Sequence, residues 1–160
     1  MGILTDDMKR LIRDVRLGFH ATVSEDGSPN ISPKGTTAVW DDDHLFFADI
    51  RSPQTVDNVR RGSEVEVNVV DPFLRKGFRF KGPAVVHERG TDGFVAGIAR
   101  LREEGFETSE ERIRGIVVIK VRHAAALISP AYDDGSRTEA EIVSAWQDRF
   151  AQLHPRVDDR

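Results

Sequence analysis

The chain contains no cysteine, only two methionines and a single tyrosine. Without thiols there is no disulfide, no thiolate nucleophile and no cysteine-ligated zinc or iron–sulfur centre. Long apolar runs are missing too: nothing approaches the roughly 18 residues of a membrane-spanning helix. No membrane association is expected. The opening residues, 1–10, lack the apolar core of a signal peptide, and Asp6 stands where a myristoylation signal wants Ser or Thr. A cytoplasmic home is expected.

Concentrated positive charge is also lacking. The 160 residues carry 23 Lys and Arg against 27 Asp and Glu, a net charge of −4. Pairs such as Arg60–Arg61 and Arg75–Lys76 are too small for a nucleic-acid footprint, which needs a basic face or stripe. No nucleic-acid partner is expected. The run Asp41-Asp42-Asp43 lacks the ligand spacing of a calcium loop and reads as a solvated turn. The five histidines show no HExxH-type spacing, so no metal is expected, although His20 is placed to reach a pocket. No serine has the partners of a nucleophilic triad.

What remains is a globular composition, 39% apolar and 31% charged, without repeats or linkers. One domain over 1–160 is expected. Met8, Leu11, Ile12 and Val15 recur at helical spacing behind a Thr5 cap and predict a helix over about 5–15. Strands follow over 18–24, 30–40 and 44–49, joined by short turns at 25–27 and 41–43, as in an antiparallel meander. Ser52-Pro53 marks a helix start, with Ser52 as cap, and Gly62 its stop. Val65, Val67 and Val69 alternate with polar residues in a strand over 64–70. Another covers 77–87, with Phe78 and Phe80 on one side and Arg79 and Lys81 on the other. A helix follows Thr91, packed through Phe94, Ile98 and Leu101. Thr108-x-x-Glu111 has the form of a capping box for a short turn. The last strand is expected at 116–121. A helix over about 138–152, capped by Thr138-x-x-Glu141, presents Ile142, Val143, Trp146 and Phe150. Tyr132 and Trp146 are read as tertiary packing before walls of a substrate site. Turns rather than helices join the first three strands, so parallel winding is excluded. The fold class is mainly β (α+β): a six-stranded antiparallel barrel, core about 16–123, with flanking helices.

Two segments are candidates for chemistry. In 29–37, Ser32, Lys34, Gly35 and Thr36 make a strand unusually rich in polar and backbone-special residues. It is either an edge strand, where proline is tolerated, or a strip facing a flat anionic ligand. In 45–55, Ala48 and Asp49 end a strand that runs into the helix start at Ser52, Gln54 and Thr55. A helix N-terminus attracts phosphate, worth about 0.3–1 kcal/mol when exposed and up to ~2 when partly buried. Its bland alternative is an ordinary cap.

In this order the two segments, within a stretch from Gly18 to about Val86 that includes 63–73 and 76–86, resemble the flavin-binding region of the pyridoxamine 5′-phosphate oxidase-like family. The resemblance implies a six-stranded split barrel that dimerises and holds FMN in grooves at the subunit interface. Relatives of this size also use an 8-hydroxy-5-deazaflavin or bind haem. The resemblance places Ser32 to Thr37 beside the flavin ring and ribityl chain, with Lys34 as the charge near ring or phosphate. It places Ala48 and Asp49 toward the cofactor's tail, Ser52, Gln54 and Thr55 around the phosphate, and Lys76 at a position that often reaches the flavin. Two departures stand out. Pro53 and Gln54 lie where the family commonly has a basic residue, and the tryptophan and arginine pattern that holds pyridoxal phosphate is missing. Vitamin B6 oxidation is disfavoured. The implied function is hydride or electron transfer to or from a small molecule, or a flavin carrier or sensor.

Overall fold

The computed structural model describes residues 2–155. Helix α1, Asp6–Val15, starts where the Thr5 hydroxyl accepts from the Met8 amide. It turns Ile12 and Leu11 onto the core. Strands β1, Gly18–Val23, and β2, Pro29–Lys34, form the first hairpin, and β3, Ala38–Val39, and β4, His44–Asp49, the next. Helix α2, Pro53–Arg60, ends at Gly62, whose φ of 90° suits glycine. Strands β5, Val65–Asp71, β6, Lys76–Gly82, and β7, Ala84–Glu88, follow. After α3, Asp92–Glu103, come β8, Gly115–Lys120, β9, His123–Ile128, and α4, Glu139–Leu153.

The strands make two antiparallel sheets, ordered β2-β1-β5-β6-β9 and β3-β4-β8-β7. With four helices this is an α+β split barrel. The six expected strands become nine strand segments among the described residues, for physical reasons. The strand expected over 30–40 breaks at Gly35-Thr36 and passes from the first sheet to the second. The strand expected over 77–87 does the same at Pro83, which has no amide to donate. Gly82 sits at that crossing, where a Cβ would run into the Lys120 carbonyl. Strand β9 was not anticipated. Its alternation of small residues, Ala124 to Ala126, gives a weak apolar pattern, and it is held by pairing with β6. The expected cap at Thr108 is not made either: a 3-10 turn at Glu110–Arg112 starts at Ser109 without a side-chain bond.

Strand β4 explains the layering. Leu45 and Phe47 point into the barrel with Val65, Val67, Phe80 and Ile119. Phe46 and Ala48 point outward beneath α3, against Phe94, Ile98 and Leu101. A strand buried on both faces reads as a continuous apolar run rather than an alternation. Each of the two phenylalanines, fully buried, contributes roughly 1.5–3 kcal/mol. The C-terminal helix is attached more lightly. Its capping box, Thr138 with Glu141, forms as expected. Ile142 is buried and Phe150 meets Phe73 edge-on, while the Arg75 guanidinium lies 4.3 Å from the Trp146 ring. The Tyr132 hydroxyl donates to the Leu74 carbonyl at 2.7 Å. Among the described residues no helix is long and apolar enough to cross a membrane.

Candidate functional site

The end of β2 carries Lys34, which is only 5% exposed. Its ammonium donates to the Ser32 hydroxyl and lies 5.5 Å from the centre of the Phe47 ring. Burial lowers its pKa, and the Asp49 carboxylate partly restores it. An ammonium has three donors, and Ser32 takes one. The following turn exposes Gly35, where a Cβ would meet open space.

Behind Lys34 is a hydrogen-bond chain. The Thr37 hydroxyl donates to the Lys34 carbonyl at 2.8 Å. It therefore accepts from His20, whose Nε2 lies 2.9 Å away, which assigns the proton of a neutral ring to Nε2. The other nitrogen, Nδ1, is buried without a partner. Burial, and then the charge of Lys34, pushes the His20 pKa down to about 3. The ring packs edge-on against Phe47 at 4.7 Å.

Strand β4 joins this group through Thr36, whose hydroxyl accepts the Ala48 amide at 3.0 Å. Asp49 then turns its carboxylate to the start of α2. One of its oxygens accepts the Ser52 amide at 3.0 Å and an Arg114 N–H at 3.1 Å. Asp49, Pro53, Val56, Arg60, Glu88 and Arg114 line a cleft of about 150 Å³. On the other flank of α2, Asn30 donates to Thr22 at 3.0 Å and to Thr55 at 3.2 Å. Asn58 donates to the same Thr22 hydroxyl at 2.9 Å.

The two segments singled out in the sequence therefore meet: β2 packs beside α2 through Asn30 and Thr55, and Lys34 feels Asp49. Ser32, Lys34, Gly35, Thr36, Ala48, Asp49 and Ser52 share one end of the barrel. Four of the expected residues depart from their expected roles. Ser52 is buried but makes no side-chain cap, and its own amide donates to Asp49. Gln54 sends its side chain along α2 to Asn58 at 2.9 Å. Thr55 faces inward and belongs to the buried network. Lys76 is three places away from β2 in the sheet order, bound to Glu139 at 2.6 Å and over the Tyr132 ring at 4.1 Å. It lines a separate cleft of about 470 Å³ with Leu11, Phe78 and Leu127. Arg114 was missed, since nothing in the sequence relates it to Asp49, 65 positions earlier. Thr22, Asn30 and Asn58 were missed for the same reason.

This arrangement places a buried cation beside an exposed turn, and it contains no paired general acid and base. Among the described residues, no group of three His, Asp or Glu is placed to hold a metal ion. Outside the site, Phe19, Ala21 and Val23 on β1 lie opposite Pro33, Ile31 and Pro29 on β2. Their shared outer face leaves Phe19 44% and Ile31 64% exposed.

The family model described as pyridoxamine 5′-phosphate oxidase matches residues 4–127. Among solved structures, the chain is similar to HupZ of Group A Streptococcus at 28% identity and a TM-score of 0.68, covering 79% of this chain and 96% of that one. It is also similar to a protein of Lactobacillus delbrueckii described as a putative pyridoxamine 5′-phosphate oxidase. There the identity is 26% and the TM-score 0.65, over 76% of this chain and 93% of that one. At 16–20% identity the likeness is of fold alone, and the names differ in cofactor: an FMN-binding protein of Syntrophomonas wolfei, an F420 reductase and the heme storage protein HutZ of Vibrio cholerae. Among curated proteins nothing matches. With the family model spanning most of its length, the chain belongs to the pyridoxamine 5′-phosphate oxidase-like family.

Proposed function

We propose that this chain binds a flavin at the end of β2 and serves as a flavin-dependent oxidoreductase, hydride or electrons passing to or from a small molecule. The observation that carries the reading is Lys34, a buried ammonium with donors to spare beside an open backbone turn. That chemistry fits the anionic, acceptor-rich edge of a flat ring. The fit is with the ring. The start of α2 fits a phosphate poorly, since Asp49 lies against its Ser52 amide and Gln54 turns away.

A bound flavin supplies the redox chemistry, so no catalytic triad is required of the protein. The chain's own part is to bind and orient. Lys34, steadied by Ser32, holds negative charge next to the ring, and Gly35 lets the ring approach the backbone. Thr37 and His20 fix the Lys34 backbone from behind. We further propose a homodimer, formed over the apolar outer face of β1 and β2, whose second copy closes the groove and excludes water. A stable interface of this kind needs about 1,200–2,000 Å² in total. The cytoplasm is the proposed location.

The test is the absorption spectrum and mass of whatever co-purifies, followed by competition among FMN, 8-hydroxy-5-deazaflavin and haem. Flavin bands, and quenching of added flavin, are expected. If excess FMN produces neither quenching nor a thermal shift, the flavin reading fails. The second reading, a deazaflavin or haem, is favoured by the poor phosphate fit and would win that competition. Consumption of NAD(P)H by the flavin-loaded protein would separate an enzyme from a passive carrier. Sedimentation should give twice the chain mass.

A further inference from the structure

We infer that the anion position at the start of α2 is filled by the protein itself, through Asp49, and that the site therefore selects a flat-ring ligand without reading a terminal phosphate there. The inference rests on the flavin reading for its ligand and goes beyond it in specificity.

Four observations at the helix start point the same way. The Asp49 carboxylate, 5% exposed, accepts the Ser52 amide, the first one offered by the turn into α2. The carboxylate sets a negative charge at the helix N-terminus, and a second anion there is repelled by it. Pro53 follows and has no amide hydrogen to give. The cations beside this position are already paired, Arg114 with Asp49 at 3.1 Å and Arg60 with Glu88 at 2.6 Å. Finally, the polar side chains that would encircle a phosphate point elsewhere: Gln54 to Asn58, and Thr55 into the network with Asn30. Lys34 remains the cation of the site, held at Ser32 toward the ring end.

FMN and riboflavin share one ring system and differ only in the phosphate, so they test the inference directly. Titrated into the full-length protein and followed by flavin fluorescence, their dissociation constants should agree within about threefold. FMN binding thirtyfold or more tighter than riboflavin would overturn the inference. Gln54→Lys, a change at an exposed position, should raise affinity for FMN about tenfold and leave riboflavin unchanged. Asp49→Asn should act in the same direction where it folds. A Gln54→Lys protein with no gain for FMN would count against the inference.

If neither flavin binds, the flavin reading fails, and inorganic phosphate then decides the inference alone. Amide resonances of Ser52, Gln54 and Thr55, followed by NMR, should not respond saturably to sodium phosphate. Saturable shifts confined to those amides would overturn it.

Discussion

Two polar clusters flank the junction of β1, β2 and α2, and they differ in how fully they are paired. In the first, Thr22, Asn30, Thr55 and Asn58 satisfy one another, and Gln54 and Arg61 close over Asn58. In the second, Lys34 has Ser32 for a partner, and the His20 Nδ1 has none. Buried polar groups are ordinarily paired, and those that are not call for an explanation. Under the proposed function the first cluster serves stability and the second binding. The contrast also separates the two ends of the proposed groove, because the side chains of Asp49, Gln54 and Thr55 at the helix end are paired within the protein and Lys34 at the strand end has donors left over.

The largest test of this contrast is acid. Unfolded His20 takes up a proton near pH 6.5, whereas burial holds the folded ring neutral to about pH 3. Between those values the unfolded state binds more protons, so acid favours unfolding. About 5 kcal/mol of stability, fully present above pH 6.5, should be lost as pH falls through that window. His20→Gln keeps a donor for Thr37 without titrating there, and should flatten that slope in urea unfolding. An unchanged slope would place the acid sensitivity elsewhere.

Next is the paired cluster. Asn58→Leu removes one donor and one acceptor from a wholly buried position and should cost about 2–3 kcal/mol, read as a lower urea midpoint. Lys34→Met should behave in the opposite way. Removing a desolvated charge should leave stability unchanged or raise it by up to about 1 kcal/mol. Asp49 keeps Arg114 as a partner, which is why no penalty is expected. A loss comparable to that of Asn58→Leu would make Lys34 a structural residue and dissolve the contrast. The smallest effect belongs to the C-terminal helix: Thr138→Ala should cost about 1 kcal/mol, seen as faster amide exchange in α4 without a change in ligand affinity.

Much of the fold was legible because it follows local chemistry. Thr5 and Thr138 each cap the helix they were expected to cap, and Thr91 caps the helix expected to follow it. The alternation of Val65, Val67 and Val69 and the opposed faces of Phe80 and Lys81 are written in the order of residues. What was not legible depends on contacts distant in sequence. Where a strand leaves one sheet for the other, at Gly35 and Pro83, is decided by closure of the barrel. Strand β9 depends on β6. In the site, β2 and the start of α2 could be matched as two segments, and they do meet. Which side chains face the groove could not be read, because Gln54 and Thr55 are claimed by Asn58 and Asn30, and Asp49 by Arg114.

The most direct test of the account is a riboflavin titration of the natural protein beside Lys34→Met, with melting temperatures measured on the same samples. Saturable quenching by the natural protein is predicted, with at least a tenfold weaker Kd, about 1.4 kcal/mol, for Lys34→Met at an equal or higher melting temperature. Equal affinity in the two proteins would contradict the account.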